Sequence, residues 1–168
     1  MFGQPRVVRD SPKMTFDPLS DVLALLKPRS YITAGFDAGG PWALTLDDLA
    51  GRIKCYAVVR GNCWLEVDGV PAVCLTTGDC FVLPSGRVAR IGSDPGVEAH
   101  RASEVLDPNQ SGEVVTYNKG GDVFLVGSRF EVEGLTADML LRSMPPLIRI
   151  QASTEQERLR LYIDLMMQ

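Results

Sequence analysis

Between Tyr31 and about Glu133 the chain is a succession of short runs of Val, Ile, Tyr, Phe, Trp and Thr, recurring about every 8–12 residues. The breaks between runs are turn-forming: Gly39-Gly40, Arg60-Gly61-Asn62, Asp68-Gly69, Thr77-Gly78-Asp79, Ser85-Gly86, Asp94-Pro95-Gly96 and Lys119-Gly120-Gly121. Runs this short can be buried only as strands stacked in a sandwich or closed into a barrel, so the spacing predicts a mainly β domain. Helical patterns flank it. Asp17-Pro18 supplies a cap and a first-turn proline, and Leu19, Val22, Leu23 and Leu26 recur at helical spacing until Pro28. After Gly134, Thr136 caps a predicted helix over Ala137 to Ser143 that Pro145-Pro146 ends. A last helix starts at Ser153 or Thr154, where Thr154-Glu155-Gln156-Glu157 fits a capping box, and carries Leu159, Tyr162, Ile163 and Met166 on one stripe. That helix reaches Gln168 while still apolar and without a glycine cap. The expected organisation is an arm over residues 1–16, a β-barrel over 17–134 and a helical segment over 135–168.

At 168 residues, 45% of them hydrophobic and 23% charged, the chain has the size of one domain with a substantial core. Its uninterrupted apolar runs, such as Phe81-Val82-Leu83, fall far short of the roughly 20 residues that span a bilayer, and no signal-peptide core follows Met1. The expectation is a cytoplasmic protein with no membrane partner. One histidine, His100, excludes multi-histidine metal sites, and a net charge of −4 argues against non-specific nucleic-acid binding. His100 has no serine in a G-x-S-x-G setting and no clear cysteine partner, and the carboxylates are scattered, so no catalytic set emerges.

Cys55, Cys63, Cys74 and Cys80 form no C-x2-C pair, and each lies in an apolar, strand-like run. They read as small buried hydrophobes that stay reduced. The Asp68-Gly69 turn predicts a two-residue hairpin pairing Val67 with Val70, Leu65 with Ala72 and Cys63 with Cys74, which would make the last two thiols neighbours.

Gly61-Asn62-Cys63-Trp64-Leu65-Glu66-Val67-Asp68-Gly69 and Gly78-Asp79-Cys80-Phe81-Val82-Leu83-Pro84-Ser85-Gly86 together resemble the cupin superfamily. Its second motif, G-x5-P-x-G-x2-H, has its frame here in Gly78, Pro84 and Gly86. The metal ligands do not follow. By the family's spacing the second-motif histidine falls on Ala89, the first-motif glutamate on Lys54 and the histidine pair within Asp47 to Ala50. Neither metal nor another cofactor is expected, because Lys54 would repel a divalent cation.

The chain from about residue 17 to 165 is also similar to the N-terminal cupin domain of AraC-type transcription regulators. Asp17 to Leu23, Trp42-Ala43-Leu44, Tyr56 to Leu65, Phe124 to Phe130 and Met144 to Ile148 carry that likeness. It implies a double-stranded β-helix, or jelly-roll barrel, with a short N-terminal helix and two to three C-terminal helices. It further implies a non-enzymatic sensor that binds a small-molecule effector and forms a homodimer through its C-terminal helices. DNA would be reached only through a helix-turn-helix domain that these residues lack. The alternative is a stand-alone, metal-independent cupin enzyme such as a sugar isomerase or epimerase; a lesser one is an assembly module with a filled barrel.

By the cupin analogy Lys54, Tyr56 and Val58 face into the barrel with Leu65 and Val67, while Trp64 faces out to pack under helices or a second subunit. The candidate ligand-binding residues are Tyr56, Trp42, Lys54 and Arg87, with Tyr56 able to exchange one hydrogen bond. Trp42 is expected near a barrel mouth, where it would stack on a ligand. Arg87 and Arg90, after the proline turn, are placed to pair a carboxylate or phosphate, or simply to form exposed salt bridges.

Overall fold

The computed structural model describes residues 30–47, 51–84, 86–106 and 112–151, so the expected arm, the helix at Asp17 and the last helix from Ser153 lie outside the described residues. Among the described residues, eleven strands and two helices run in the order β1 (Ser30–Ala38), β2 (Ala43–Leu46), β3 (Arg52–Arg60), β4 (Asn62–Val67), β5 (Val70–Thr76), β6 (Cys80–Leu83), β7 (Ala89–Gly92), β8 (His100–Arg101), α1 (Ala102–Val105), β9 (Val114–Tyr117), β10 (Val123–Glu131), α2 (Leu135–Ser143) and β11 (Ile148–Ile150). They form a six-stranded sheet, β11-β6-β3-β10-β1-β9, and a five-stranded sheet, β5-β4-β7-β2-β8. All neighbours are antiparallel except β1 with β9 and β2 with β8, each of which pairs parallel at a sheet edge. The fold is the mainly β jelly roll that the turn spacing and the cupin likeness predict.

Alternation along each strand decides which side meets the core. In β4, Cys63, Leu65 and Val67 are buried while Trp64 and Glu66 are half-buried. The inner faces supply Phe36, Leu44, Leu46, Val58, Leu65, Leu75, Phe81, Leu83, Ile91 and Leu125 to one continuous core. Strand β3 is covered on both sides. Its even positions point inward, Val58 within that core and Tyr56 packed against it, whereas Ile53 and Cys55 meet Ala137, Leu141 and Phe130 under α2.

Four features depart from the sequence expectation. The Asp68-Gly69 hairpin does pair Val67 with Val70, but the register shifts beyond it, so Leu65 faces Val73, Trp64 faces Cys74 and Cys63 faces Leu75. The physical cause is one extra residue on β5 beside Pro71, which has no N–H for the ladder and is tolerated at such a bulge. The shift turns Val73 and Leu75 inward in place of Ala72 and Cys74, so apolar burial rewards it. Cys63 and Cys74 therefore lie on opposite faces of the sheet and are not cross-strand neighbours.

Helix α2 begins at Leu135, with Gly134 and not Thr136 at its N-cap. The C-terminal segment over 135–168, expected to hold helices over Ala137 to Ser143 and from Ser153 or Thr154, contains strand β11 between them: Pro145-Pro146 follows the end of the helix, and Ile148-Arg149-Ile150 pairs with Val82, Phe81 and Cys80 on the open edge of β6. The single turn α1, with Ala102 buried, has no counterpart in the sequence reading.

Candidate functional site: the Lys54 end of the barrel

Strand directions sort the sequence candidates between the two ends of the barrel. The chain leaves β2 at Leu46 and enters β3 at Arg52, so Lys54 lies near that end, and β6 leads from Leu83, opposite Lys54, toward Arg87 at the same end. Trp42 lies at the other end, between β1 and β2.

Directly opposed residues of antiparallel strands share a face. On the inner face the pairs Lys54 with Arg129, Tyr56 with Gly127 and Val58 with Leu125 succeed one another along β3 and β10. Arg52 faces Glu131 one step further out. The inner lining thus changes from apolar at Val58 to charged at Lys54 within four residues. Lys54 is only 7% exposed, and with Asp79 it makes up the buried charged residues among those described. Arg129, 14% exposed at its side chain, reaches to 4.0 Å from Glu131 Oε1 with its Nη2, while Arg52 Nε lies 3.3 Å from the same oxygen.

Tyr56 stands between these charges and the apolar core. Its ring stacks on Phe81 at 5.0 Å between centroids with 18° between planes. Across the ladder, Gly127 is required: a Cβ there would lie 2.7 Å from Tyr56 Cε1. Phe81 on one neighbouring strand and Gly127 on the other hold the ring in place.

Trp42 is not at an open mouth. It is 1% exposed, packs edge-on against Phe36 at 5.1 Å, and leaves its buried indole Nε1 without a hydrogen-bond partner among the described residues. Its backbone N–H donates to Ser93 Oγ at 3.0 Å. Arg87 is exposed, and its Nη1 donates to the Asp68 carbonyl at 3.1 Å, which braces the hairpin turn. Arg90 pairs with Glu66 at 2.7 Å and also donates to the carbonyls of Asp94 and Val97. Lys54 and Tyr56 are thus brought together, Arg87 is engaged with a turn nearby, and Trp42 stands apart.

Sequence reasoning passed over Arg129 and Arg149. Arg129 shares parity with the apolar Leu125, which was a usable signal, but its opposition to Lys54 depends on a register that only the folded sheet defines. Arg149, on β11, donates to Asp79 Oδ2 at 2.9 Å and to the Cys74 carbonyl at 3.1 Å. Asp79 Oδ2 also accepts the Thr76 N–H at 3.0 Å, in the turn where Gly78 adopts φ 94°. Arg149 therefore links the outer strand of one sheet to the outer strand of the other.

All four cysteines are free. Burial, then the electrostatic influence of Cys74 and Asp79, push the Cys63 thiol up to about 12 from an ordinary 9.0. Burial and Cys80 take Cys55 to about 11, and burial and Asp79 take Cys80 to about 11. These are protonated, unreactive thiols at neutral pH.

The metal centre that a cupin fold implies has no fitting set of residues among those described. Lys54 and the buried Ala89 occupy two of its ligand positions, and among the described residues no three His, Cys, Asp or Glu side chains gather as a metal-holding group. Among the described residues, too, no helix is long and apolar enough to cross a membrane.

Outside the barrel, a cleft of about 300 Å³ is lined by Gly51, Val132, Gly134, Leu135, Asp138 and Leu141. Beside it, Leu135 and Met139 expose 78% and 66% of their surface on one side of α2.

Comparison with known proteins agrees with this architecture. Residues 17–168 match the cupin family. A protein described as an AraC-like transcription regulator from Streptomyces lividans is 39% identical over 140 residues, covering 82% of this chain and 45% of the relative. Another so described, from Streptomyces antibioticus, is 37% identical over 139 residues with the same coverage of each. The chain thus spans about half the length of the curated relatives it matches. Among solved structures, apo ToxT from Vibrio cholerae superposes with a TM-score of 0.47 at 9% identity, over 81% of this chain and 47% of that one. YhaK from Escherichia coli gives 0.43 at 10% identity, over 82% and 47%. Likeness at that level carries no argument about function. The match over residues 17–168, on a jelly roll whose second-motif turn is in place, settles the family: the chain belongs to the cupins.

Proposed function

We propose that this chain is the sensing part of an AraC-type transcription regulator, a metal-free cupin barrel that binds a small effector and dimerises through its C-terminal helical region. The observation that carries the reading is the 39% identity to an AraC-like regulator across 82% of this chain. The barrel supports it: an assembly module with a filled interior would continue the apolar lining past Val58, whereas here Tyr56, Lys54 and Arg129 line the inner face. The exposed Leu135 and Met139, one turn apart on α2, supply apolar surface for a subunit contact. DNA binding would belong to a helix-turn-helix domain outside these residues, and the relatives' names favour a regulator over the stand-alone enzyme.

A ligand shifts such a switch only by its differential affinity for two arrangements of the barrel and its exit segment. A thermal-shift screen with sugars, aromatic acids and lipids, followed by sedimentation of the best ligand's complex, tests the reading. A ligand-dependent rise in melting temperature, reduced by Tyr56→Ala, together with a dimer in solution, is expected. A strict monomer at high concentration that no small molecule stabilises would overturn it.

A further inference from the structure

We propose that β11 is a releasable clasp: it leaves the edge of β6 as a unit, together with the Arg149 side chain, while both sheets stay folded. The clasp stands on geometry alone, and only its regulatory use rests on the sensor reading above. Strand β11 has three residues, lies at the end of its sheet with one strand partner, and leaves Ile150 48% exposed. Pro145 and Pro146, which precede it, have no backbone N–H with which to pin the approach. Its tie to the five-stranded sheet is a single nitrogen of Arg149. That Nη2 donates both to Asp79 Oδ2 at 2.9 Å and to the Cys74 carbonyl at 3.1 Å.

The docked guanidinium is not fully satisfied. Its Nε is buried without a hydrogen-bond partner among the described residues, and release into water supplies one. The barrel, by contrast, keeps its own bonds when β11 leaves. Asp79 Oδ2 still accepts the Thr76 N–H at 3.0 Å. The Gly78 N–H donates to the Val58 carbonyl at 2.7 Å and the Val58 N–H to the Asp79 carbonyl at 2.9 Å, which anchors the turn on β3. Strand β6 remains paired with β3 from Leu83 opposite Lys54 to Cys80 opposite Ala57. Docking of β11 is thus favourable without being over-determined, the balance that permits local opening.

The clasp also touches the barrel interior. Arg149 is directly opposed to Phe81, and Phe81 to Tyr56, so the three share the inner face, where the Tyr56 ring stacks on Phe81. A change that moves the Phe81 ring therefore bears on Arg149, and through it on the path by which the chain leaves Ile150. In a sensor this is a route from the barrel interior to the exit segment.

Native-state hydrogen exchange of the 168-residue chain in rising, sub-denaturing urea tests the clasp. The amides that pair β11 with β6, on either strand, should share one opening constant with little urea dependence, at least about tenfold larger than that of the amides pairing β3 with β10. Arg149→Met should raise that constant about tenfold or more, and Arg149→Lys, which keeps a charge beside Asp79, by less. Circular dichroism establishes that the variants fold, and the unsubstituted chain decides the matter whether or not they do. Protection and urea dependence equal to those of β3 and β10 would mean that β11 opens only with the whole protein. Rates graded inward from Ile150 would mean simple fraying, and an unchanged constant in Arg149→Met would mean that Arg149 fastens nothing. Each of these results would overturn the inference. The sensor reading is decided separately, by the thermal-shift screen and sedimentation.

Discussion

Replacing Arg149 with Met removes the cation from a buried ion pair while keeping most of the side chain's apolar volume. Asp79 is 3% exposed at its side chain and Arg149 29%, with 2.9 Å between Nη2 and Oδ2. Removing one partner of a fully buried pair costs about 3–5 kcal/mol, because the remaining charge is left in a low-dielectric site. Partial exposure of Arg149 and the Thr76 N–H at 3.0 Å, which still solvates the carboxylate, reduce this to about 2–3 kcal/mol. Asp79→Asn should cost less, about 1–2 kcal/mol, since the amide oxygen can still accept from Thr76. The double variant should be more stable than the sum of the single losses by about 1–2 kcal/mol, the coupling expected of residues in direct contact. Urea unfolding of the four proteins measures all three quantities. Hydrogen exchange should show the β11 amides opening faster in Arg149→Met while those of β4 and β7 keep their protection. A loss below about 0.5 kcal/mol, or strict additivity in the cycle, would refute the claim that this pair fastens the two sheets together.

Gly127→Ala should cost about 1–3 kcal/mol and change the near-ultraviolet circular dichroism, because its Cβ would lie 2.7 Å from the Tyr56 ring; an unchanged spectrum would show that the ring is not held there. Leu75→Ala, at a fully buried position opposite Cys63, should cost about 2–5 kcal/mol, whereas in the unshifted hairpin register that position would face outward and cost little. With Cys55, Cys63 and Cys80 pushed up to about 11, 12 and 11, the folded state keeps protons that the unfolded chain releases near pH 9. Stability should therefore hold below pH 9 and fall as pH rises toward 12, and replacing Cys63 with Ala or Val should flatten that fall. Leu135→Ser with Met139→Ser should abolish self-association without lowering the melting temperature of the barrel, since both side chains are exposed; a dimer that survives in sedimentation would remove α2 from the interface.

The legibility of this fold follows the range of the forces involved. Turn chemistry acts over four residues, so the Asp68-Gly69 hairpin, the Gly78-Asp79 turn and the strand runs could be read directly. The inward parity of Lys54, Tyr56 and Val58 followed from the cupin analogy and agrees with the observed pairing. Register beyond the first pair is a property of two strands together, and a single proline was enough to move Cys74 to the outer face. Strand β11 illustrates the same limit: three residues have no periodicity to recognise, and they become a strand because β6 offers an open edge. Lys54 and Tyr56 were legible as neighbours on one strand. Arg129 was not, because the 75 residues separating it from Lys54 in sequence place it opposite only once β10 has paired with β3.

The placement of β11 also bears on where this chain can safely be cut. Strand β6 is paired on one side by β3 and on the other only by Ile148-Arg149-Ile150. A truncation ending before Ile148 would leave the backbone N–H and C=O groups along Cys80-Phe81-Val82-Leu83 facing solvent, beside an Asp79 deprived of its guanidinium. An apolar edge of that kind is a template for strand addition from a second chain, so the shortened protein should aggregate through β6 even though its barrel core is complete.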